Sequence, residues 1–140
     1  MAVMAQYKTE NGAVKCNWID SDIEEEPTGL IDAIIYKIHT IFSSNGNFYI
    51  CFGNGSYGSG NHHKRILILT IENDQLVECI DCIDEKYKLI EAPRSIPISL
   101  SYSGEDQMLS FEQFPFDEDI GYFNNKGERI QLHFKDGKFQ

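Results

Sequence analysis

Four groups of residues in this sequence could do chemistry. Cys79-Ile80-Asp81-Cys82 is a CxxC, with Cys16 and Cys51 elsewhere. Thiolates could hold a tetrahedral zinc, but such a site usually draws on two closely spaced pairs. Cys16 and Cys51 stand alone on strand-like stretches, where a cysteine serves as a small buried hydrophobe. A dithiol redox centre would precede a helix in a βαβ unit, and that pattern is missing. The expectation is therefore structural or free thiols, no required disulfide, no zinc and no cofactor.

The second group is the glycine-rich stretch Gly53-Asn54-Gly55-Ser56-Tyr57-Gly58-Ser59-Gly60-Asn61-His62-His63, followed by Lys64 and Arg65. Read as a loop, it could aim successive backbone N–H groups at an anion. Gly55, Ser56, Tyr57, Gly58, His62, His63, Lys64 and Arg65 would then bind a small ligand. The order is not that of a P-loop, which needs Gly-Lys-Ser/Thr entering a helix. Nor is it the dinucleotide fingerprint, which needs a βαβ unit. The plainer reading is an exposed connection between two core strands.

The third group is acidic. Asp20, Asp22, Glu24, Glu25 and Glu26 crowd one connection, and Asp117, Glu118 and Asp119 another. Residues 117 to 128 place acids at positions one, three and twelve of a calcium-type loop. Position six is Tyr122, where the sharp turn needs glycine, and no helices flank it. Both stretches read as solvated acidic loops. The fourth group is His39, His62, His63 and His133. No Gly-x-Ser-x-Gly elbow accompanies them, and nothing pairs a nucleophile with a base.

The elements that must position these groups are strands. The net charge is −10, with 12 Lys plus Arg against 22 Asp plus Glu. That opposes sequence-independent nucleic-acid binding and an anionic membrane surface, and suits a basic protein partner. At 140 residues the chain suits one domain, 1 to 140, with a core of its own. The N-terminal residues lack the charged start and apolar run of a signal peptide. No apolar run is long enough for a membrane helix. Together these place the chain in the cytoplasm, unless a leader has been removed.

Lys64 to Ile71 is the most apolar run and reads as a strand with both faces covered. Asn47 to Phe52 precedes it. Asn11-Gly12 predicts a type I′ hairpin between Val3–Thr9 and Ala13–Ile19. Ile34, Tyr36, Ile38, Thr40 and Phe42 alternate, giving a strand from about Ile34 to Ser43 after one helical turn at most. Ile98, Leu100 and Tyr102 alternate with serines. Ile130, Leu132 and Phe134 alternate before a turn at Asp136-Gly137. The expected fold is all-β: an antiparallel sandwich or partly closed barrel of about ten short strands. Its core should hold Trp18, Ile34, Phe48, Ile50, Phe52, Ile66, Ile68, Leu100, Leu132 and Phe134.

Asn47 to Gly60, Ile66 to Leu76 and Lys135 to Phe139 give an aromatic strand, a Gly/Ser-rich turn, an alternating strand with an Ile-Glu-Asn turn, and a terminal Asp-Gly-Lys-Phe hairpin. In these pieces the chain resembles small uncharacterised all-β proteins of gut bacteria. The resemblance implies an all-β fold and assigns no activity. The expected function is a non-enzymatic protein-binding module. One form would be an immunity or inhibitor-type protein that covers a basic partner with Asp20, Asp22, Glu24 to Glu26 and Asp117 to Asp119. The alternative is a small-ligand-binding protein or enzyme using residues 53–63.

Overall fold

The structure is a computed structural model that describes residues 3–20, 33–57 and 60–140. It is all-β: among the described residues, a five-stranded and a four-stranded antiparallel sheet share one core, two two-stranded sheets accompany them, and no closed barrel forms. The described strands are β1 (Val3–Lys8), β2 (Val14–Asp20), β3 (Ile34–Ser43), β4 (Gly46–Tyr57), β5 (Asn61–Glu72), β6 (Gln75–Glu78) and β7 (Leu89–Pro93). They continue with β8 (Leu100–Ser103), β9 (Met108–Gln113), β10 (Phe116–Asp117), β11 (Tyr122–Phe123), β12 (Glu128–Lys135) and β13 (Lys138–Phe139). The count exceeds ten because several connections fold into two-residue strands.

The first sheet runs β3-β4-β5-β6, with β7 also paired to β5. The second runs β13-β12-β9-β8. One core joins them: Ile41, Ile50, Phe52, Ile66 and Ile68 from the first, Leu109, Phe111, Leu132, Phe134 and Phe139 from the second. Phe48 and Phe134 meet across the layers with ring centroids 5.1 Å apart. Ile66, Leu67, Ile68 and Leu69 are 3%, 6%, 1% and 6% exposed, so β5 is covered on both faces, as its unbroken apolar run requires. Leu67 and Leu69 join Cys51 in a smaller cluster on the far side.

β6 and β7 share the outer edge of β5. The chain leaves that edge at Cys79, whose N–H donates to Ile68 O at 2.8 Å. It returns at Lys88, whose carbonyl accepts from Ile66 N at 2.9 Å. Between them lie two 3-10 turns, Ile80–Cys82 and Glu85–Tyr87. The first brings the Cα atoms of Cys79 and Cys82 to 5.4 Å, within disulfide range, and the two are bonded. The expectation of free thiols is overturned at this pair. Cys51 is the buried hydrophobe expected, its thiol pushed up to about 11 by desolvation. Cys16 is exposed instead.

Other expectations change too. The alternating side chains of β3 point outward: Ile34 is 55% exposed, Ile38 60% and Phe42 74%. Ile41 faces the core in their place, so Ile34 is not a core residue. A period of two marks a stripe without saying which side is packed. The Asn11-Gly12 turn is not type I′. Gly12 N donates to Thr9 O at 3.0 Å, and only Gly12 is left-handed, with φ 86°. The paired positive φ of a type I′ turn occurs at Asn73-Asp74, with φ 49° and 61°, and at Asp136-Gly137, with 52° and 80°. The Trp18 side chain lies outside the described residues.

Two substitutions test this packing. Ile68→Ala should destabilise the domain by about 2–5 kcal/mol in urea unfolding, because the site is fully enclosed. At Gly53 an added Cβ would lie 2.7 Å from the Ala33 Cβ. Gly53→Ala should therefore cost about 1–3 kcal/mol. Much of that should be recovered when Ala33→Gly is added, giving a measurable coupling in a double-mutant cycle.

Candidate protein-binding site

The β10–β11 hairpin brings acids and exposed apolar side chains together on the surface. Phe116 pairs with Phe123 and Asp117 with Tyr122. The Phe116 and Phe123 rings pack at 5.5 Å. The turn is closed by Asp117: its carbonyl accepts from Gly121 N at 2.9 Å, and its carboxylate from Asp119 N at 3.0 Å. Gly121 is left-handed, with φ 66°, which any L side chain there would resist. Asn124 N donates to Pro115 O at 2.8 Å and closes the base.

Tyr122 ties this hairpin to the glycine-rich stretch. Its hydroxyl lies 2.8 Å from Gly60 O and 2.6 Å from Asn61 Oδ1, and donates to one of them. Gly60 O also accepts from Arg94 N at 2.9 Å. Two of the groups singled out in the sequence, the 117–119 acids and the glycine stretch, are therefore neighbours. The hairpin presents Glu118 and Asp119, both exposed, beside Phe116 (56% exposed), Ile120 (65%) and Tyr122 (38%). Acids around exposed apolar side chains suit a protein partner. Charge speeds encounter, and buried aromatic or aliphatic anchors hold the complex.

The other acidic candidates fare differently. Asp20 ends β2, and its side chain lies outside the described residues, as do Asp22, Glu24, Glu25 and Glu26. Glu128 belongs to β12, paired with Gln113, so it does not close a loop with Asp117.

The glycine stretch is not a loop. β4 extends to Tyr57 and β5 begins at Asn61, with Gly53 opposite Arg65, Gly55 opposite His63 and Ser56 opposite His62. β3 covers the other edge of β4 as far as Asn54, and β7 covers β5 from Asn61 to Arg65. The ladder therefore engages the backbone groups that a converging anion nest would need. Gly58 and the Tyr57 side chain lie outside the described residues. His63 is fully buried. His62 Nε2 lies 2.6 Å from Ile96 O. Lys64 Nζ donates to Tyr36 Oη at 2.9 Å and sits 4.3 Å from the centre of that ring.

No family model, curated protein or solved structure matches this chain. Its chemistry must be read from its own residues. Among those described, no cluster of His, Cys, Asp and Glu is arranged to hold a metal. No described helix is long and apolar enough to cross a membrane. A polar groove of about 710 Å³ opens between the tip of the β1–β2 hairpin and the turns of the first sheet, lined by Lys8, Glu10, Asn47, Tyr49, Asn73 and Asp74 among others. A second concavity of about 620 Å³ lies beside the Ile80–Cys82 and Glu85–Tyr87 turns, lined by Asp84, Lys86, Tyr87 and Lys138 among others.

One signal in the sequence went unread. All 22 acidic residues lie outside 33–71, where Lys37, Lys64 and Arg65 are the only charged side chains besides histidine. The molecule thus has an acid-free tract, residues 33 to 71, within an acidic whole.

At the border of that tract His39 stands between Phe52 and Tyr102, with ring centroids 5.3 and 5.2 Å away. Desolvation, then the Lys37 charge, hold its pKa below 6.5. Folding therefore disfavours the protonated ring. The stability this contributes is present above the unfolded value and is lost as pH falls from there through the lowered folded value. Melting temperature should drop as pH falls from 7 to below 6. His39→Phe, which keeps the ring contacts, should make that drop shallower than in the wild type.

Proposed function

We propose that this chain is a non-enzymatic protein-binding module that captures a basic partner, in the manner of an immunity or inhibitor-type protein. The observation that carries this reading is the β10–β11 hairpin. It sets Glu118 and Asp119 beside exposed Phe116, Ile120 and Tyr122 on a turn braced by its own hydrogen bonds. A net charge of −10, with all 22 acids outside 33–71, adds long-range attraction for a cationic surface. The reading places the basic partner against the acidic part of the surface and leaves the acid-free tract 33 to 71 for other contacts. Where the partner is a nuclease, the same carboxylates would stand in for the substrate's phosphates.

The acids of this turn are not equivalent. Asp117 closes the turn through its carboxylate, while Glu118 and Asp119 project from it. Charge reversal is therefore best made at the latter two, leaving the turn intact. Affinity capture from the native cell, read by mass spectrometry, should enrich a basic protein with the wild-type chain. A Glu118→Lys/Asp119→Lys variant should lose most of it. Association of the purified pair should slow with added salt in the wild type and respond less in the variant. Capture that is equal for both chains, at rates independent of salt, would remove this hairpin from the interface.

A further inference from the structure

We infer that β3 is a self-association edge: it pairs antiparallel with β3 of a second copy of this chain, with Thr40 on the two-fold axis. β3 is the outermost strand of its sheet, and no described strand pairs with its free side. It carries Ile38 at 60% exposure and Phe42 at 74%. Such an edge presents unpaired backbone donors and acceptors beside uncovered apolar side chains.

The register follows from the side chains. With Thr40 opposite its own copy, Ile38 of each chain faces Phe42 of the other, twice per dimer. β-Branched against aromatic and threonine against threonine are favourable cross-strand pairs. On the opposite face His39 meets Ile41. Lys37 meets Ser43, so no like charges oppose. Moving the axis to Ile38 would set Lys37 against His39 and run the ladder into the β-bulge between Ile35 and Lys37. The regular ladder from Lys37 to Ser43 contains the whole palindrome.

Charge decides where a second copy can approach. Two chains of net charge −10 repel each other. They can approach at least cost where acids are missing, and 33–71 has none. Salt should therefore strengthen this contact by screening the repulsion between the remaining surfaces. That is opposite in sign to capture of a basic partner, so failure of one reading is distinguishable from failure of the other.

Sedimentation velocity of the full chain over a concentration series should show a monomer–dimer equilibrium, with more dimer at higher salt. Phe42→Lys and Ile38→Lys each remove both copies of the Ile38–Phe42 pair. Each should lower the association constant by roughly tenfold. Both sites are exposed, so the melting of the monomer should be unchanged, and either variant suffices if the other fails to fold. In a Cys16→Ser background, Thr40→Cys should oxidise to a covalent dimer, because only a residue on the axis meets its own copy. A wild-type chain that stays monomeric at every concentration and salt overturns the inference, leaving the edge to an extended segment of another protein. A dimer indifferent to both lysine variants overturns it as well, placing the contact elsewhere.

Discussion

The double burial of β5 is the constraint on which the rest depends. Ile66 to Leu69 are covered on both faces, so the strand needs layers above and below and a partner on each edge. One layer is the second sheet, through Leu109, Phe111, Leu132 and Phe134. The inner edge belongs to β4. The outer edge is divided between β6 and β7, which obliges the chain to leave the ladder at Cys79 and rejoin it at Lys88. The Cys79–Cys82 disulfide lies at the start of this detour. Cys82 is fully buried, with its sulfur 3.2 Å from Gly137 O beside the β12–β13 turn. The detour thus touches the second sheet as well as the first.

Much of this was legible. The bounds of β3 were readable as Ile34 to Ser43, and the apolar run of β5 announced a strand covered on both sides. Asp136-Gly137 was readable as a turn. Legibility failed where a local pattern has two spatial solutions. The stripe Ile34, Tyr36, Ile38, Phe42 marked a strand correctly, but its apolar members face outward. Gly53 to His63 has loop composition, yet Gly53 is set by the closeness of Ala33, and the stretch continues two long strands. In both cases the deciding information was a neighbour distant in sequence.

The candidate site was half legible. Asp117 to Asp119 were readable as an exposed acidic loop, but not their meeting with Gly60 and Asn61 through Tyr122. That contact spans two strand pairs and depends on β7 lying against β5. Nor could spacing show that Phe116 and Ile120 would remain uncovered. The acids at 22 and 24 to 26 lie outside the described residues. The charge partition was open to simple counting. Counting charges over the whole chain hides it, because −10 reads as uniform acidity when a tract of strands is free of acid.

An acid-free, apolar edge strand is an aggregation hazard unless association stops. Here geometry limits it. The bulge between Ile35 and Lys37 breaks regular pairing at one end of β3, and the turn at Ser43–Gly46 ends it at the other. The opposite side of the same sheet offers no equivalent template. It is divided into β6, of four residues, and β7, of five, with the Cys79–Lys88 detour between them. A second molecule could not lay a long strand there. Pairing at β3 is isologous, so each molecule uses its β3 edge in making it. The division of the outer edge that follows from burying β5 thus also separates a closed dimer from an open filament.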